Sequence, residues 1–438
     1  MKSKISFVCQ ECGYDSPEWL GKCPECGAWN SLKEIKSSKL KVQNSGERIK
    51  TDLSPKILSE IHYEQKERTS TGFSEMDTVL GGGIVNGSVI LLAGDPGIGK
   101  STLLLQLGLI LGSKEYNVLY ISGEESEEQI KLRATRFQKT FSPHFFVLSI
   151  TDTDAIIDLI TDKNPNLVII DSIQTMESEN LAGLSGSVGQ IRYATSMFIR
   201  AAKTLSIPII LVGHVTKEGM VAGPMVLSHM VDVVLFFEGE KTTNTRFLRS
   251  LKNRFGPVDE VGIFTMEEKG IREVKDTEHI FLTEKAKDTP GSVLFTTLEG
   301  TRPFLVEIQS LVVYSKLPFP RRVVSGVDPK RVELLLAVLQ KQIRLPVESY
   351  DVFVNVAGGL KITDPGVDLA ICLSIYSSLK NVKLSSTVAI AEVGLLGELR
   401  TASSLDKRVK EAKKLGLTSI ISTKEYQTLS DVIKSLAK

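Results

Sequence analysis

Nine consecutive residues, Gly94 to Thr102, restrict the fold of this chain more than any other feature. Their sequence, GDPGIGKST, matches the pattern G-x-x-x-x-G-K-[ST] and lies between the apolar run VILLA and the run LLLQLGLIL. When a strand delivers a glycine-rich turn to the start of a helix, backbone amides and the positive end of the helix dipole point at phosphate groups. The segment therefore predicts an α/β domain with an ATP site.

Each residue of this phosphate loop is a candidate for contact with the nucleotide. We expect Lys100 to neutralise the β and γ phosphates and the Ser101 hydroxyl to ligate magnesium. The candidate nucleotide-binding residues are Gly94, Asp95, Pro96, Gly97, Ile98, Gly99, Lys100, Ser101 and Thr102.

Acidic residues follow two of the apolar runs that we expect to be strands. The run LVIID ends in Asp171, which is suited to hold magnesium through water, although an Asp at this position could also cap the next helix. The run YISGEES places Glu124 after another strand, as a candidate to orient the attacking water, with Glu125 as the rival. Magnesium is therefore expected beside ATP.

Four of the five cysteines form two close pairs near the start of the chain, Cys9 with Cys12 and Cys23 with Cys26. Each pair continues into Gly, which permits the turn of a metal-binding knuckle, so the spacing predicts a structural zinc site with four thiolate ligands. Two disulfides are the alternative, and a reducing cytosol disfavours them.

Three further side chains near or beyond this motif are expected to be structural. Trp19 and Trp29 flank the cysteine pairs, and we expect them to pack in its small core rather than to stack on bases. Cys372 lies in the apolar stretch DLAICLSIY and is expected to be a small buried hydrophobe.

The distribution of apolar runs divides the chain. From Gly72 to about residue 274, short β-branched runs alternate with amphipathic stretches, which indicates a mostly parallel central sheet covered by helices. A cluster of Pro and Gly in DTPGSVLF then interrupts this alternation, and a second α/β region follows. We predict a zinc finger at 1–30, a linker at 31–68, an ATPase domain at 69–274 and a second α/β domain at 275–438.

The sequence argues against a membrane-spanning protein and against an exported one. No apolar run approaches the roughly 18 residues that span a bilayer, and the first residues lack a signal-peptide core, so we expect a cytoplasmic protein without a membrane partner. The formal charge is only +1, so any contact with nucleic acid must come from local basic patches.

In order and spacing, GDPGIGKST, GEES, LVIIDS and LVGH resemble the RecA-like ATPases. More narrowly, the chain resembles the bacterial RadA family over essentially its whole length. This resemblance rests on the four cysteines, the phrase STGFSEMDTVLGGGIVNGSVILLAGDPGIGKSTLLLQ and the motif KNRFG from Lys252 to Gly256. It implies a RecA-like core in which Glu124 serves the attacking water and His214 senses the γ phosphate.

The motif KNRFG can be interpreted from its residues and from the resemblance. Lys252 and Arg254 are two residues apart in an extended stretch and therefore point the same way, as an anion clamp or as an ordinary charged surface pair. The resemblance implies that both reach the ATP of a neighbouring subunit or DNA. It also implies a homo-oligomeric ring, expected to be a hexamer.

Two segments rich in Gly and Ser fit the DNA-facing loops of RecA-like rings, residues 174–192 and residues 215–229. They carry few cations, with Arg192 and Lys217 as the exceptions. We expect DNA binding to use backbone amides and the repetition of these loops around the ring, as well as positive charge.

The region 275–438 resembles the proteolytic domain of Lon, but it lacks the catalytic pair. Val367 occupies the position of the serine nucleophile and Asp406 that of the lysine, so we expect no peptidase activity. We also expect a basic face, either a DNA surface or a solvated ring-packing surface. Its residues are Lys407, Arg408, Lys410, Lys413 and Lys414, next to Arg321, Arg322, Lys330 and Arg331.

The resemblance implies a DNA-dependent ATPase that translocates on single-stranded and branched DNA and promotes branch migration in RecA-mediated recombination and repair. RecA itself is an implied partner, and a nucleoid-associated cytoplasmic location follows. The alternative is a nucleotide-switched protein-binding ring without motor activity. Stimulation of ATP hydrolysis by single-stranded DNA separates the two.

Overall fold

The computed structural model describes nine segments of the chain, namely 5–9, 15–25, 27–36, 68–181, 183–213, 224–239, 244–274, 289–384 and 386–436. The chain divides into two compact units. The first comprises Met1–Gly239, Arg246–Val258 and Gly262–Glu273, and the second comprises Glu240–Thr245, Asp259–Val261 and Val274–Lys438.

The N-terminal ribbon is a three-stranded antiparallel sheet built from β1 (Ile5–Cys9), β2 (Asp15–Ser16) and β3 (Leu32–Lys36). Strand β3 pairs with β1 along its full length, so the ribbon extends six residues beyond the predicted end of the zinc finger at residue 30. Residues 37–67 of the expected linker lie outside the described residues.

The prediction that both tryptophans pack in the ribbon core is wrong. Trp19 is 55% exposed and Trp29 is 73% exposed. The small core is filled instead by Cys9, Cys23 and Leu32, with Phe7 and Leu20 packed against them. The ammonium of Lys22 lies over the Trp29 ring, 5.5 Å from its centroid.

A nine-stranded sheet forms the centre of the first unit. Its strand order is β12-β11-β10-β9-β4-β8-β7-β5-β6. The strands are β4 (Val89–Gly94), β5 (Val118–Ser122), β6 (Phe145–Ser149), β7 (Leu167–Asp171), β8 (Ile209–Val212), β9 (Val233–Glu238), β10 (Thr245–Asn253), β11 (Val261–Glu267) and β12 (Gly270–Glu273). The six strands from β9 to β6 are parallel, as the sequence predicts, whereas β10 is antiparallel to β9 and β12 to β11.

Helices cover both faces of this sheet. They are α1 (Ser74–Leu80), α2 (Lys100–Ser113), α3 (Glu127–Ala134), α4 (Thr153–Lys163), α5 (Val188–Leu205) and α6 (Pro224–Met230). Alternate residues of β4 enter different cores, with Ile90 and Leu92 packed beside α2 and Val89 and Leu91 beside α4 and α5. Because successive strand residues face opposite sides, an uninterrupted apolar strand is the sequence signature of a sheet buried on both faces.

The second unit contains a six-stranded mixed sheet in the order β15-β16-β14-β13-β17-β20. The strands are β13 (Ser292–Glu299), β14 (Arg302–Tyr314), β15 (Arg322–Ser325), β16 (Tyr350–Val356), β17 (Thr387–Ile390) and β20 (Ser419–Ser422); β18 (Glu392–Val393) and β19 (Leu399–Arg400) form a separate hairpin. The described residues of this unit also form four α-helices, namely Pro329–Ile343, Asp368–Lys380, Leu405–Lys414 and Leu429–Leu436.

The expectation that Arg408 belongs to a basic surface is wrong. Its side chain is fully buried, donates hydrogen bonds to the carbonyl oxygens of Thr296 (2.7 Å) and Ser403 (2.8 Å), and forms an ion pair with Asp364. The residue points inward from its helix, whereas the helix's four lysines, Lys407, Lys410, Lys413 and Lys414, are exposed.

The positions that carry the catalytic pair in Lon have different environments in this chain. Val367 is buried, while the Asp406 carboxylate is exposed and ion-paired with Lys424 at 2.5 Å. Cys372 is fully buried, as predicted, and burial raises the pKa of its thiol. Among the helices that the structure describes, none has the length and apolar character needed to cross a membrane.

Candidate active site

The phosphate loop connects β4 to α2, and two of its glycines have backbone geometry that other residues rarely adopt. Gly94 has φ +153°, and a Cβ there would lie 2.2 Å from the Phe237 carbonyl oxygen of the neighbouring strand. Gly99 has φ +115° immediately before α2, and its Cβ would lie 2.5 Å from the Met266 side chain. Glycine is required at both positions because the chain is left-handed and closely packed there.

Lys100 is the first residue of α2 and is only 3% exposed. Its Nζ donates hydrogen bonds to the carbonyl oxygens of Gly94 (2.8 Å) and Asp95 (3.0 Å) within the loop. Burial lowers the pKa of its ammonium to about 8, against the opposing effect of the Asp171, Asp95 and Glu124 carboxylates. Phosphate oxygens would add negative charge around this desolvated cation and so favour its protonated form.

Asp171 ends β7 at the same edge of the sheet as the phosphate loop, and its side chain is buried. The hydroxyl of Tyr120 donates a hydrogen bond of 2.5 Å to its Oδ2. Burial and the adjacent carboxylate raise the pKa of Tyr120 well above its usual value, so the phenol keeps its proton. The Ser101 hydroxyl and the Asp171 carboxylate are hard oxygen donors, which fit a magnesium ion.

The two glutamates that follow β5 have different partners. The Ser172 hydroxyl donates a hydrogen bond of 2.6 Å to Glu124 Oε1, which ties this carboxylate to the residue after Asp171. Glu125 forms an ion pair of 2.9 Å with Arg133 on α3. Glu124 therefore lies toward Asp171, while Glu125 faces a cation on the neighbouring helix.

His214 and most of the second expected DNA loop, residues 215–223, lie outside the described residues. Strand β8, which precedes them, pairs with β4 and β7, so the chain leaves β8 at the loop edge of the sheet.

The first expected DNA loop is shorter than predicted, because α5 begins at Val188 and contains Arg192. The buried side chain of Gln190 holds the described part of this loop. Its amide donates hydrogen bonds to the carbonyl oxygens of Ser178 (3.1 Å) and Leu181 (2.7 Å) and accepts one from the Ser178 amide. Leu184 is 85% exposed at the outer part of the loop.

Lys252 and Arg254 lie at the opposite edge of the sheet from the phosphate loop. Arg254 forms an ion pair of 3.2 Å with Asp232, whose amide bonds to the Val89 carbonyl at the amino end of β4. The phosphate loop begins at the other end of β4, at Gly94, which is about 16 Å away at 3.3 Å per residue. The structure therefore separates these two cations from the other predicted site residues of the same chain.

Asp232 binds three donors around its buried carboxylate. The Val89 amide donates to Oδ2 at 3.0 Å, Lys203 Nζ lies 2.5 Å from the same oxygen, and Arg254 contacts Oδ1. Asp232 and Lys203 could not be predicted from sequence, because neither belongs to a recognisable motif and only the fold brings them to Arg254.

Two other residues of KNRFG, Lys252 and Asn253, make hydrogen bonds that stabilise α6 and the turn after β10. Lys252 Nζ donates hydrogen bonds to the carbonyl oxygens of Ser228 (2.8 Å) and His229 (3.3 Å) at the end of α6, and burial lowers its pKa. Asn253 accepts a hydrogen bond from the Phe255 amide at 2.9 Å. Lys252 therefore fixes α6, a helix that the prediction had included in the second DNA loop, residues 215–229.

Arg246 is a third residue that sequence reasoning missed. It is 7% exposed, and its Nε donates a hydrogen bond of 3.2 Å to the Ile98 carbonyl in the phosphate loop. An arginine at the start of a strand has no distinguishing local pattern, so its contact with the loop is a property of the tertiary structure.

In the N-terminal ribbon, Cys9 and Cys23 are both buried in one cluster, as ligands of a shared metal would be. The Cys9 thiol donates a hydrogen bond of 3.1 Å to the Ser31 hydroxyl, which in turn donates to the Ala28 carbonyl oxygen at 3.2 Å. Cys12 and Cys26 lie outside the described residues. The clustered sulfurs fit zinc, which prefers thiolate ligands in structural sites.

Comparison with protein families matches two parts of the chain. A model described as an AAA domain matches residues 61–220, and a model described as a rubredoxin metal binding domain matches residues 7–34. The chain therefore carries an ATP-binding AAA-type domain and an N-terminal zinc ribbon.

Similar proteins match almost the whole chain. It is 46% identical over 424 residues to "DNA repair protein RadA" of Halalkalibacterium halodurans and of Bacillus subtilis. Each of these alignments covers 96% of this chain and 92% of the relative. It is 44% identical over 431 residues to the protein of the same name from Listeria monocytogenes, with 97% and 93% covered. The crystal structure of the RadB recombinase matches 47% of this chain and 99% of its own at 25% identity and a TM-score of 0.38.

Proposed function

The chain belongs to the RadA family of DNA repair proteins, and we propose that it is a DNA-dependent ATPase that translocates on single-stranded and branched DNA. On this proposal it promotes branch migration of recombination intermediates together with the RecA recombinase, in the cytoplasm at the nucleoid.

The ATP site that we propose combines the phosphate loop with the two acids at the same sheet edge. Lys100 binds the β and γ phosphates, while Ser101 and Asp171 hold magnesium, which would neutralise phosphate charge during transfer. Glu124 orients the attacking water. The hydrogen bond that Glu124 accepts from Ser172, the neighbour of Asp171, supports this choice over Glu125, whose carboxylate is ion-paired with Arg133. His214 is assigned to the γ phosphate by family resemblance.

The observation that carries the motor proposal is the location of Arg254. Asp232 binds its guanidinium at the amino end of β4, whereas the phosphate loop begins at the other end of that strand, about 16 Å along it, so Arg254 cannot serve the loop of its own chain. A cation in this position can act on the nucleotide of a neighbouring subunit, which makes hydrolysis depend on a ring, expected to be a hexamer. Such arginines stabilise charge that develops in phosphoryl transfer.

The contacts of Lys252 support coupling between DNA and that clamp. Lys252 binds the Ser228 and His229 carbonyls in α6, which lies in the C-terminal part of the second expected DNA loop, and it is two residues from Arg254. A shift of α6 on DNA binding would therefore be transmitted to the end of β10, which Arg254 directly follows.

The test is ATP hydrolysis by the purified protein with and without single-stranded DNA. We expect DNA to accelerate hydrolysis in the wild-type protein and not in Arg254→Ala, while both bind ATP similarly, because the clamp acts mainly in the transition state. Arg400→Ala is the matched control, since Arg400 is 59% exposed and ion-paired, compared with 57% for Arg254, but lies in the second unit. Nucleotide binding without any DNA stimulation would favour the protein-binding ring instead.

A further inference from the structure

The structure assigns a role to Tyr120 at the proposed ATP site. We propose that Tyr120 is a positioning residue that fixes the carboxylate of Asp171 for magnesium through its hydroxyl, with Arg133 setting the direction of that hydrogen bond. This inference rests on the proposed function, in which Asp171 holds the metal.

The sheet places Tyr120 where its hydroxyl reaches this carboxylate. In the parallel pair of β5 and β7, Ser122 lies opposite Asp171 and Tyr120 is two residues earlier on the same strand. Residues two apart on a strand share a face, so the Tyr120 ring lies on the α2 side of the sheet, fully buried in the core that contains the α2 leucines. Its hydroxyl donates to Asp171 Oδ2 at 2.5 Å.

Arg133 determines which way the phenol proton points. Its Nη2 lies 3.3 Å from the Tyr120 hydroxyl oxygen, and its other contact is the ion pair with Glu125. A guanidinium can only donate hydrogen bonds, so the phenol oxygen accepts from Arg133 and its own proton is directed to Asp171. Glu125, Arg133, Tyr120 and Asp171 thus form one chain from the surface of α3 to the acid at the sheet edge.

This chain restrains the carboxylate at the point where magnesium chemistry needs it. Within the part of the chain that the structure describes, Tyr120 is the only side chain that donates a hydrogen bond to Asp171. The bond engages Oδ2 and fixes the plane of the carboxylate, which leaves Oδ1 as the oxygen oriented to hold a metal-bound water. Groups that orient metal-binding carboxylates in this way typically change metal affinity about 10- to 100-fold when removed.

The hydroxyl is separable from the packing of the ring. Tyr120→Phe keeps the aromatic volume in the α2 core and removes only the oxygen between Arg133 and Asp171. Tyr376→Phe provides a matched control, because Tyr376 is also buried but lies in the helix Asp368–Lys380 of the second unit.

The experiment measures binding of a fluorescent ADP analogue, first in EDTA and then across a magnesium titration, with Mn²⁺ in the presence of ADP followed by electron paramagnetic resonance. For Tyr120→Phe we expect binding in EDTA within about twofold of wild type, and a roughly tenfold higher metal concentration at half-saturation by both measurements. Tyr376→Phe should match wild type. Arg133→Met should raise the metal requirement by less, and it should add little in the Tyr120→Phe background because it acts through Tyr120.

Two results would overturn the proposal. Equal metal dependence of Tyr120→Phe and wild type would show that the hydroxyl does not position Asp171. Loss of binding in EDTA together with a lower melting temperature would show that the phenol serves only to stabilise the fold. These readouts need no hydrolysis, so a wild-type protein without DNA-stimulated ATPase activity would defeat the motor proposal while the metal titration still tests Tyr120.

Discussion

Mixed rings of two inactive variants test whether Arg254 works on the ATP of a neighbouring subunit. Arg254→Ala removes the guanidinium that Asp232 holds at the amino edge of the sheet, and Lys100→Ala removes the phosphate-loop cation at the other edge. Each change leaves the other site intact, because the two residues lie at opposite ends of β4, a strand about 16 Å long.

The expected magnitudes follow from this separation. An arginine supplied in trans contributes about 10³- to 10⁵-fold to turnover, so rings made only of Arg254→Ala should lose DNA-stimulated hydrolysis by at least about 10³-fold. In a 1:1 mixture, about one half of the subunits have an intact phosphate loop and about one half of their neighbours supply Arg254. About a quarter of the interfaces are then complete, and we expect up to about a quarter of wild-type turnover.

The assay is steady-state ATP hydrolysis on single-stranded DNA after the two variants are exchanged into rings whose mixing is verified by mass spectrometry. Mixing Arg254→Ala with the double variant Lys100→Ala/Arg254→Ala is the control, because no interface in that mixture is complete. Absence of recovery in verified mixed rings would refute action in trans. A DNA role would appear instead as weaker strand binding with a flatter salt dependence.

Four further outcomes follow from the structure. Lys100→Ala alone should reduce hydrolysis at least about a hundredfold, since no other cation in the loop replaces it; near-normal turnover would show that the site is misplaced. Because the pKa of Lys100 is about 8 in the protein without nucleotide and phosphates should raise it, ATP affinity should be constant below pH 8 and fall about tenfold per pH unit above it, measured by calorimetry; a flat profile to pH 9.5 would contradict this. One zinc per chain is expected, and Cys9→Ser should release it and change the emission of the chain's two tryptophans, both in the ribbon, while the ATPase core stays folded. Arg408→Met should destabilise the second unit by about 3–5 kcal/mol in denaturant unfolding, because Asp364 is left without its buried partner, whereas exposed Lys407→Met should cost under about 0.5 kcal/mol.

The fold of the first unit was largely predictable because its signals are local. An apolar run before Gly94 and a helical run after Lys100 identify β4, the loop and α2, and β-branched runs identify the other parallel strands. The antiparallel addition of β10 beside β9 was not predictable, since strand order depends on pairing between distant segments.

The surfaces were harder to predict than the strands. A helical period can show that Arg408 lies in a helix, but a buried arginine is stable only because Asp364 and two carbonyls meet it in the fold. In the same way, the aromatic character of Trp19 and Trp29 suggested a core, yet other side chains fill that core and leave both rings exposed.

The sequence alone determined the residue types that the chemistry requires. The phosphate loop, the acid at the end of β7 and the spacing of the first cysteines are each contained in a few consecutive residues, so their local order specifies their use. The family resemblance added Lys252 and Arg254 without locating them.

Only the tertiary structure decided which side chains meet. It pairs Glu124 with Ser172 and Glu125 with Arg133, brings the Tyr120 hydroxyl to Asp171, and holds Arg254 at the sheet edge opposite the phosphate loop. Apart from the Glu125–Arg133 pair, these contacts join segments that are far apart in sequence, and all of them depend on the direction of each side chain in three dimensions, which no short segment specifies.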